Sequence, residues 1–341
     1  MFERSISRRG FAGAGAAIGA LAALPALMRP GTAQAAVLPA TLPATLRILC
    51  SGPAGSIPDI VARRYAERLT GRIAQNVIVD NRVGAAGQLA VAALRQASAD
   101  GTTMLLAQGA IATVYPFLYA KLAYDPAVDL KPVSLAAEAT LGLAVGPAVP
   151  ASVTTLGEFI AWGRLNPSLT NFASPGTGTL PHLLGATFFR EAQVTWQHVP
   201  YPGGPPALLD LMGGRIAALI LPEGLLRPHQ AAGRLRVLAT SAAARSAYLP
   251  EVPTFVEQGW PSLVMQEWFA FFMPGATPPA SVEAASLAVQ LAATDKAVKS
   301  TFADAGMVAT ASTPLALAGR IATEQTYWQG VVRATGIRAE S

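Results

Sequence analysis

An α/β protein of two domains with a ligand cleft between them is the fold class that the sequence predicts. Three observations carry that reading. Short apolar runs alternate with helical patterns along the chain, as in a mostly parallel sheet covered by helices. The alternation pauses around Pro147 and Pro150 and then restarts, which makes two such units. At 341 residues the chain is long enough for two domains, and its 52% hydrophobic content, 31 Gly and 27 Pro suit compact units with many tight turns.

The first unit is organised by a strand, a loop and a helix. Ile48, Leu49 and Cys50 form an apolar run that suits a strand buried on both faces. Pro53 and the neighbouring glycines end it. Pro58 fits a first helical position and Asp59 complements the positive end of a helix dipole, so a helix is predicted over 59–70. A loop feeding a helix N-terminus presents free backbone N–H groups to an anion. The segment reads either as half of an anion-binding cleft or as an ordinary βα turn.

A strand is predicted over 77–79, then a helix over 89–96 after Gly84 and Gly87. Asp100-Gly101 turns into a strand over 103–107. Residues 133–137 and 141–145 read as two extended segments. The second unit opens with a helix near 156–164, a strand over 170–173 and the loop Ser174-Pro175-Gly176-Thr177-Gly178-Thr179. That loop feeds a helix over 181–190 and supplies hydroxyls and a glycine-rich backbone. Strands over 194–199, 216–221 and 235–240 and a helix over 206–212 follow. Residues 269–273 read as a strand returning to the first unit, and helices near 281–293, 298–305 and 315–332 close the chain. Extended segments near 137–147 and 263–273 join the units. The predicted division is residues 36–146 plus 265–341 for one domain and 147–264 for the other. Open sheets bind ligands beyond the carboxyl ends of their strands, and pockets favour domain interfaces. Two helix N-termini facing each other there would suit a carboxylate without any Arg or Lys.

Residues 1–35 read as an export signal rather than as part of the fold. Ser7-Arg8-Arg9-Gly10-Phe11 is a twin-arginine pattern, a small and apolar run follows it, and Ala33-Gln34-Ala35 is a cleavage site. Removal after Ala35 is preferred to an uncleaved anchor, and the expected location is the periplasm. Cys50 has no lipoprotein context. The signal holds four Arg and one Glu, so the remaining chain carries 21 basic and 19 acidic residues and a net charge of +2. The basic pI therefore says little about nucleic acid, and no basic run with interleaved aromatics appears. A lone thiol excludes an intrachain disulfide framework and any multi-cysteine metal site. His198 and His229 lack partners at metal-ligand spacing. The glycines at 176 and 178 lack the Gly-Lys-Ser/Thr ending of a P-loop, and neither a G-x-S-x-G elbow nor H-E-x-x-H is present. No catalytic residue, metal or cofactor is expected.

Several short motifs, in order, resemble the periplasmic solute receptors of tripartite tricarboxylate transporters, the Bug-type receptors. They are Asp59-Ile60-Val61-Ala62-Arg63, Val79-Asp80-Asn81-Arg82 with Gly84 and Gly87, and Asp100-Gly101. Tyr124-Asp125-Pro126, Leu130-Lys131-Pro132-Val133-Ser134-Leu135 and Ser174-Pro175-Gly176-Thr177-Gly178 with His182 follow. His198-Val199-Pro200-Tyr201 with Gly203-Gly204, Gly233-Arg234-Leu235-Arg236 and Leu249-Pro250-Glu251-Val252-Pro253-Thr254 complete the set.

The resemblance covers nearly the whole exported chain. It implies a two-domain periplasmic-binding-protein fold that closes over a small organic acid and delivers it to membrane transporter subunits, acting as a monomer. By position it implies ligand contacts from Ser51, Gly52, Ala54, Gly55, Ser56 and Asp59 of the first loop. Ser174, Gly176, Thr177, Gly178 and Thr179 of the second are implied likewise, with Gln108, Gly109, His182 and Tyr201 beside them. Asp59 has an alternative role at the helix start, His182 one in capping or core satisfaction, and Tyr201 one in packing. The chain departs from the family pattern at Pro58, at Pro202 and in the apolar strand near Ile220-Leu221, each commonly polar in the family. These departures predict a less polar pocket, for an aromatic or long-chain acid. Two other functions are weighed: an extracytoplasmic sensor feeding a membrane kinase, which would use the same cleft, and an α/β enzyme acting on small acids. The enzyme lacks a nucleophile–base pair.

Overall fold

The computed structural model describes residues 42–335 and 337–339. The twin-arginine pattern and the expected cleavage site lie outside them. In chain order the elements are β1 (Thr45–Cys50), α1 (Ile57–Leu69), β2 (Asn76–Asn81), α2 (Gln88–Arg95), β3 (Thr103–Gln108), α3 (Ala110–Thr113), α4 (Tyr115–Leu118) and α5 (Pro126–Asp129). Next come β4 (Leu130–Val145), α6 (Leu156–Leu165), β5 (Asn171–Ser174), α7 (Leu180–Glu191), β6 (Gln197–Pro200), α8 (Gly204–Met212), β7 (Ala218–Pro222) and α9 (Glu223–Ala231). β8 (Arg236–Thr240), β9 (Gln266–Pro274), α10 (Pro279–Ala293), α11 (Lys296–Asp304), β10 (Met307–Ala309) and α12 (Pro314–Thr335) complete the chain.

The strands lie in the order β2-β1-β3-β9-β4-β7-β5-β6, with β8 and β10 also paired to β4. Both ends of this path are parallel, β1 with β2 and β3, β5 with β6 and β7. Every pair that involves β4 or β9 is antiparallel. The sheet is therefore mixed, which corrects the mostly parallel expectation. An apolar run buried on both faces looks the same in either direction, and β9 is such a run.

β4 is one strand where two segments were predicted. Glu138 and Thr140 break its apolar pattern, and there the strand changes partners. Its Leu130–Thr140 stretch pairs with β9, and β10 borders residues 137–139; its Leu141–Val145 stretch runs between β7 and β8. The pattern breaks at the junction between the two halves of the sheet.

The helices cover this sheet through ordinary amphipathic faces. α1 buries Ile57, Val61, Ala62, Tyr65, Ala66 and Leu69, spaced at one helical turn. The Tyr65 ring meets Phe271 edge-on at 5.2 Å, and its hydroxyl donates to the Ala136 carbonyl at 2.9 Å. That bond offsets the burial of a polar tip. Cys50 is fully buried in the same core, where burial pushes its thiol up to about 12, as suits a small hydrophobe. α9 was not foreseen, because Pro228 lies inside it and Gly224 near its start. No helix among the described residues is long and apolar enough to cross a membrane.

Candidate functional site

The first loop leaves β1 at Cys50 and enters α1 through Ser56. The Ser56 hydroxyl donates to the Pro53 carbonyl at 2.6 Å, closing the turn, so it does not cap α1. Asp59 holds the loop from behind. Its carboxylate accepts from the Gly55 N–H at 3.0 Å, from Asn81 at 2.9 Å and from Arg63 at 3.0 Å. Asn81 also donates to the Gly52 carbonyl at 2.8 Å. Burial alone would raise the Asp59 carboxyl, but bonds from Arg63, Asn81 and Gly55 outweigh it and hold the group below its ordinary range.

The second loop runs from Ser174 into α7 and is fastened without charge. The Thr179 hydroxyl donates to the Gly176 carbonyl at 2.7 Å, and the Gly178 N–H donates to His182 Nδ1 at 3.1 Å. Ser174 Oγ lies 2.8 Å from His198 Nε2, and the two imidazoles pack at a tilt of 31° with centroids 3.9 Å apart. Burial drives His182 down to about 4; burial and then the neighbouring His182 take His198 to about 3. Both are neutral at physiological pH. Gly178 has φ +84°, and a Cβ there would stand 2.5 Å from Leu118 Cδ2, so this position takes glycine for two reasons.

A third segment, residues 83–88, was read from sequence only as a lead-in to α2. Ala85 and Ala86 both adopt positive φ, 44° and 52°, which is strained for a residue with a Cβ. The turn is held in place by its carbonyl: Gln108 Nε2 donates to Ala86 O at 2.7 Å and the Tyr115 hydroxyl does so at 2.8 Å. Ser51 in turn donates to Gln108 Oε1 at 2.9 Å, tying the first loop to this turn. The small-residue run Gly84-Ala85-Ala86-Gly87 was the available signal.

These segments enclose a cavity of about 400 Å³. Ser51, Gly52, Ser56, Gln108, Gly176, Thr177, Thr179 and Tyr201 line it, among the residues singled out from sequence. Ala54, Gly55, Asp59, Ser174, Gly178 and His182 do not; Asp59, Ser174, Gly178 and His182 bond or pack within the loops. Gly109 borders a smaller cavity beside Trp268. The three departures Pro58, Pro202 and Leu221 all line the main cavity, as do Leu225 and Phe269. Its wall is accordingly apolar over much of its extent. The loops from the two halves of the sheet touch across it, with the Tyr119 hydroxyl donating to the Thr177 carbonyl at 2.9 Å. Tyr201 keeps its ring at the wall while its hydroxyl donates to Asp210 at 2.7 Å.

The electrostatics of the wall come from backbone rather than from side chains. The residues preceding α1, α2, α7, α8 and α9 are Ser56, Gly87, Thr179, Gly203 and Pro222, and all five line the cavity. None of these five helices has a side-chain cap, a feature shared with α3, α4 and α10, while α5, α6 and α11 are capped by Asp125, Thr155 and Asp295. Pro58, Pro181, Pro205 and Pro206 carry no N–H and the Gln88 N–H donates to the Ala85 carbonyl, so the remaining first-turn N–H groups and the positive ends of the five helix dipoles are what the wall offers. Among the described residues no Lys or Arg lines it. The one carboxyl in the wall among the described residues is Glu267, which sequence reading missed because it sits in a strand rather than in a loop. Among the described residues no cluster of three or more His, Cys, Asp or Glu is placed to hold a metal.

Residues 61–337 match the model of a family described as "Tripartite tricarboxylate transporter family receptor". The Protein BugT of Bordetella pertussis is 34% identical over 294 residues, covering 86% of this chain and 90% of its own length. A Cupriavidus necator protein described as "UPF0065 protein in gbd 5'region" is 34% identical over 279 residues, 82% of this chain and 80% of its own. Among solved structures, an R. palustris protein with adipate superposes with a TM-score of 0.82 at 27% identity, covering 87% of this chain and 99% of the other. MatC of Rhodopseudomonas palustris with bound malate gives 0.79 at 26% identity, with 85% and 99% covered.

Proposed function

The chain belongs to the tripartite tricarboxylate transporter receptor family, and from that premise we propose that it is a periplasmic solute receptor that binds a small organic acid and hands it to the membrane subunits of such a transporter. It acts as a monomer, exported by its twin-arginine signal. One observation carries the ligand class: five uncapped helix N-termini surround a cavity that, among the described residues, no Lys or Arg lines. Free N–H groups at the positive ends of helix dipoles attract an anion through preorganised hydrogen bonds. The hydroxyls of Ser51, Ser56 and Thr179 already donate within the protein, to Gln108 and to the carbonyls of Pro53 and Gly176. The Thr177 hydroxyl, the Gln88 amide and the backbone are therefore the donors left for a carboxylate.

Binding chemistry of this kind needs no reaction. Residues 36–146 plus 265–341 and residues 147–264 form the two domains of this reading, with the bond from Tyr119 to Thr177 marking where they meet over a ligand. The apolar side chains of Pro58, Pro202, Leu221, Leu225 and Phe269 favour an acid with a substantial hydrocarbon portion. That an adipate complex and a malate complex lie among the similar structures supports a carboxylate.

A thermal-shift screen of ligand-stripped protein tests this directly, using aliphatic mono- and dicarboxylates, citrate, amino acids and aromatic acids. At least one acid should raise the melting temperature in a dose-dependent way, since a ligand present at about 100 times its Kd adds roughly 2.7 kcal/mol of apparent stability. A flat response from folded protein across the panel would remove the carboxylate-receptor reading.

A further inference from the structure

Glu267 stands in the cavity wall but takes no part in holding the loops. It projects from β9 beside Ala139 of β4, two residues before Phe269, and the alternation of a strand turns both toward the main cavity. It is 4% exposed, and its carboxyl makes no hydrogen bond with any described residue. Asp59 and Glu223, the other buried acids, each have at least one partner: Arg63 and Asn81 for the first, and Ser246 for one oxygen of the second, whose Oε2 is buried without a partner. The charge closest in influence is another acid, Glu324, already engaged by Arg320 and by the Trp268 indole. Burial, with Glu324, raises Glu267 to about 8.

A buried carboxyl without a partner is disfavoured unless something that enters the site completes it. Glu267 also borders the smaller cavity that Arg320 lines, but Glu324 and Glu138 already engage that guanidinium. In the main cavity a second ligand carboxylate would meet Glu267 and the field of Glu324 with no Lys or Arg among the described lining residues to offset them. A cationic nitrogen would meet the one acidic group the wall offers. Resting on the receptor reading above, we infer that Glu267 receives a positively charged nitrogen of the ligand, so that the cleft selects an aminocarboxylate over a dicarboxylate of equal length. The ligand carboxylate lies at the helix N-termini and its ammonium at Glu267. As the ammonium enters, Glu267 gives its proton to solvent and the two charges pair inside the cavity. The backbone grips the acid end and this side chain reads the other.

Calorimetry on the whole protein with three matched series of four to six carbons tests it: ω-amino acids, dicarboxylates and monocarboxylates. The expected result is one ω-amino acid that binds at least about tenfold tighter than both counterparts of its length, the scale typical of a buried charge pair. Glu267→Gln should bring that acid to within about threefold of the monocarboxylate, which itself binds the variant at least as well. The wild-type ranking decides the matter even if the variant fails to fold. A dicarboxylate that equals or exceeds the ω-amino acid overturns the inference and leaves the receptor reading standing, and so does a ranking unchanged in folded Glu267→Gln. Silence from all three series and from the wider acid panel overturns both.

Discussion

The two loops that face each other across the cavity do the same mechanical task by opposite means. The first is tied down by an ionised group, with Asp59 gathering Gly55, Asn81 and Arg63 behind the backbone. The second is tied down by neutral imidazoles, with His182 holding Gly178 and His198 holding Ser174. Either device keeps side-chain bonding on the far side of the loop and leaves backbone facing the cavity. The difference lies in what disrupts them. A charge anchor fails when its carboxylate is protonated, whereas an imidazole anchor fails when its ring is.

The harshest test of this contrast is Gly178→Val. A side chain at φ +84° strains the second loop and drives into Leu118, so binding should fall by more than about a hundredfold and stability by roughly 3 kcal/mol. Calorimetry and denaturant melts read the two effects. Unchanged affinity would detach the second loop from the site.

Acid separates the loops next. His182 lies near 4 in the folded protein against an ordinary 6.5, so the unfolded chain binds more protons between those values. The contribution of His182 is fully present above about 6.5 and is lost as pH falls toward 4, up to roughly 3 kcal/mol. Asp59 is depressed as well but from the carboxylate range, so its contribution is present above that range and is lost only as pH falls through it. Glu223 and Glu267, raised to about 7 and about 8, act in the opposite direction over the same window. The informative quantity is thus the difference in melting temperature between wild type and His182→Asn, which should narrow from pH 7 to pH 4.5. A difference that does not change with pH would mean that the imidazole does not anchor the loop.

Asp59→Asn should cost less, about 1–2 kcal/mol of stability and about tenfold in affinity, because Asn81 and Gly55 lose their ionised acceptor while the shape remains. In denaturant melts its deficit should stay constant from pH 7 to pH 5, unlike that of His182→Asn. A deficit that shrinks over that range would erase the contrast between the anchors. Smallest of all, Tyr201→Phe should change affinity by no more than about threefold, since the hydroxyl bonds to Asp210 and only the ring meets the cavity. A larger loss in titration would make that hydroxyl a ligand contact.

Much of this was legible in sequence where chemistry and local structure coincide. Pro58 beside Asp59 announced a helix start, two residues later than the helix begins, because Ser56 rather than Pro58 marks the boundary. The glycines and hydroxyls of residues 174–179 announced the second loop. Helix α9 stayed hidden because Gly224 and Pro228 read as breakers, yet Gly224 is required where the Ala305 carbonyl passes too close for any Cβ. Strand direction was invisible because β4 and β9 bury both faces. Glu267 and Phe269 could not be assigned to the site for a related reason. Nothing in Gln266-Glu267-Trp268 indicates a wall, and only the pairing of β9 with β3 and β4 carries these residues to loops far away in the chain.

The placement of β9 also governs when the protein can exist at all. β3 ends at Gln108 and β4 at Val145, but the strand that joins them begins at Gln266. A nascent chain that has not reached that point carries two apolar strands with bare edges, the surfaces by which unfinished chains adhere to one another. Closure must wait for late synthesis, and contacts this distant in sequence form slowly. No early fragment is a smaller version of the molecule. An export route that accepts only finished folds would therefore have to be kept from this chain until its last third has emerged from the ribosome, which makes custody of the unfinished polypeptide a requirement of the topology.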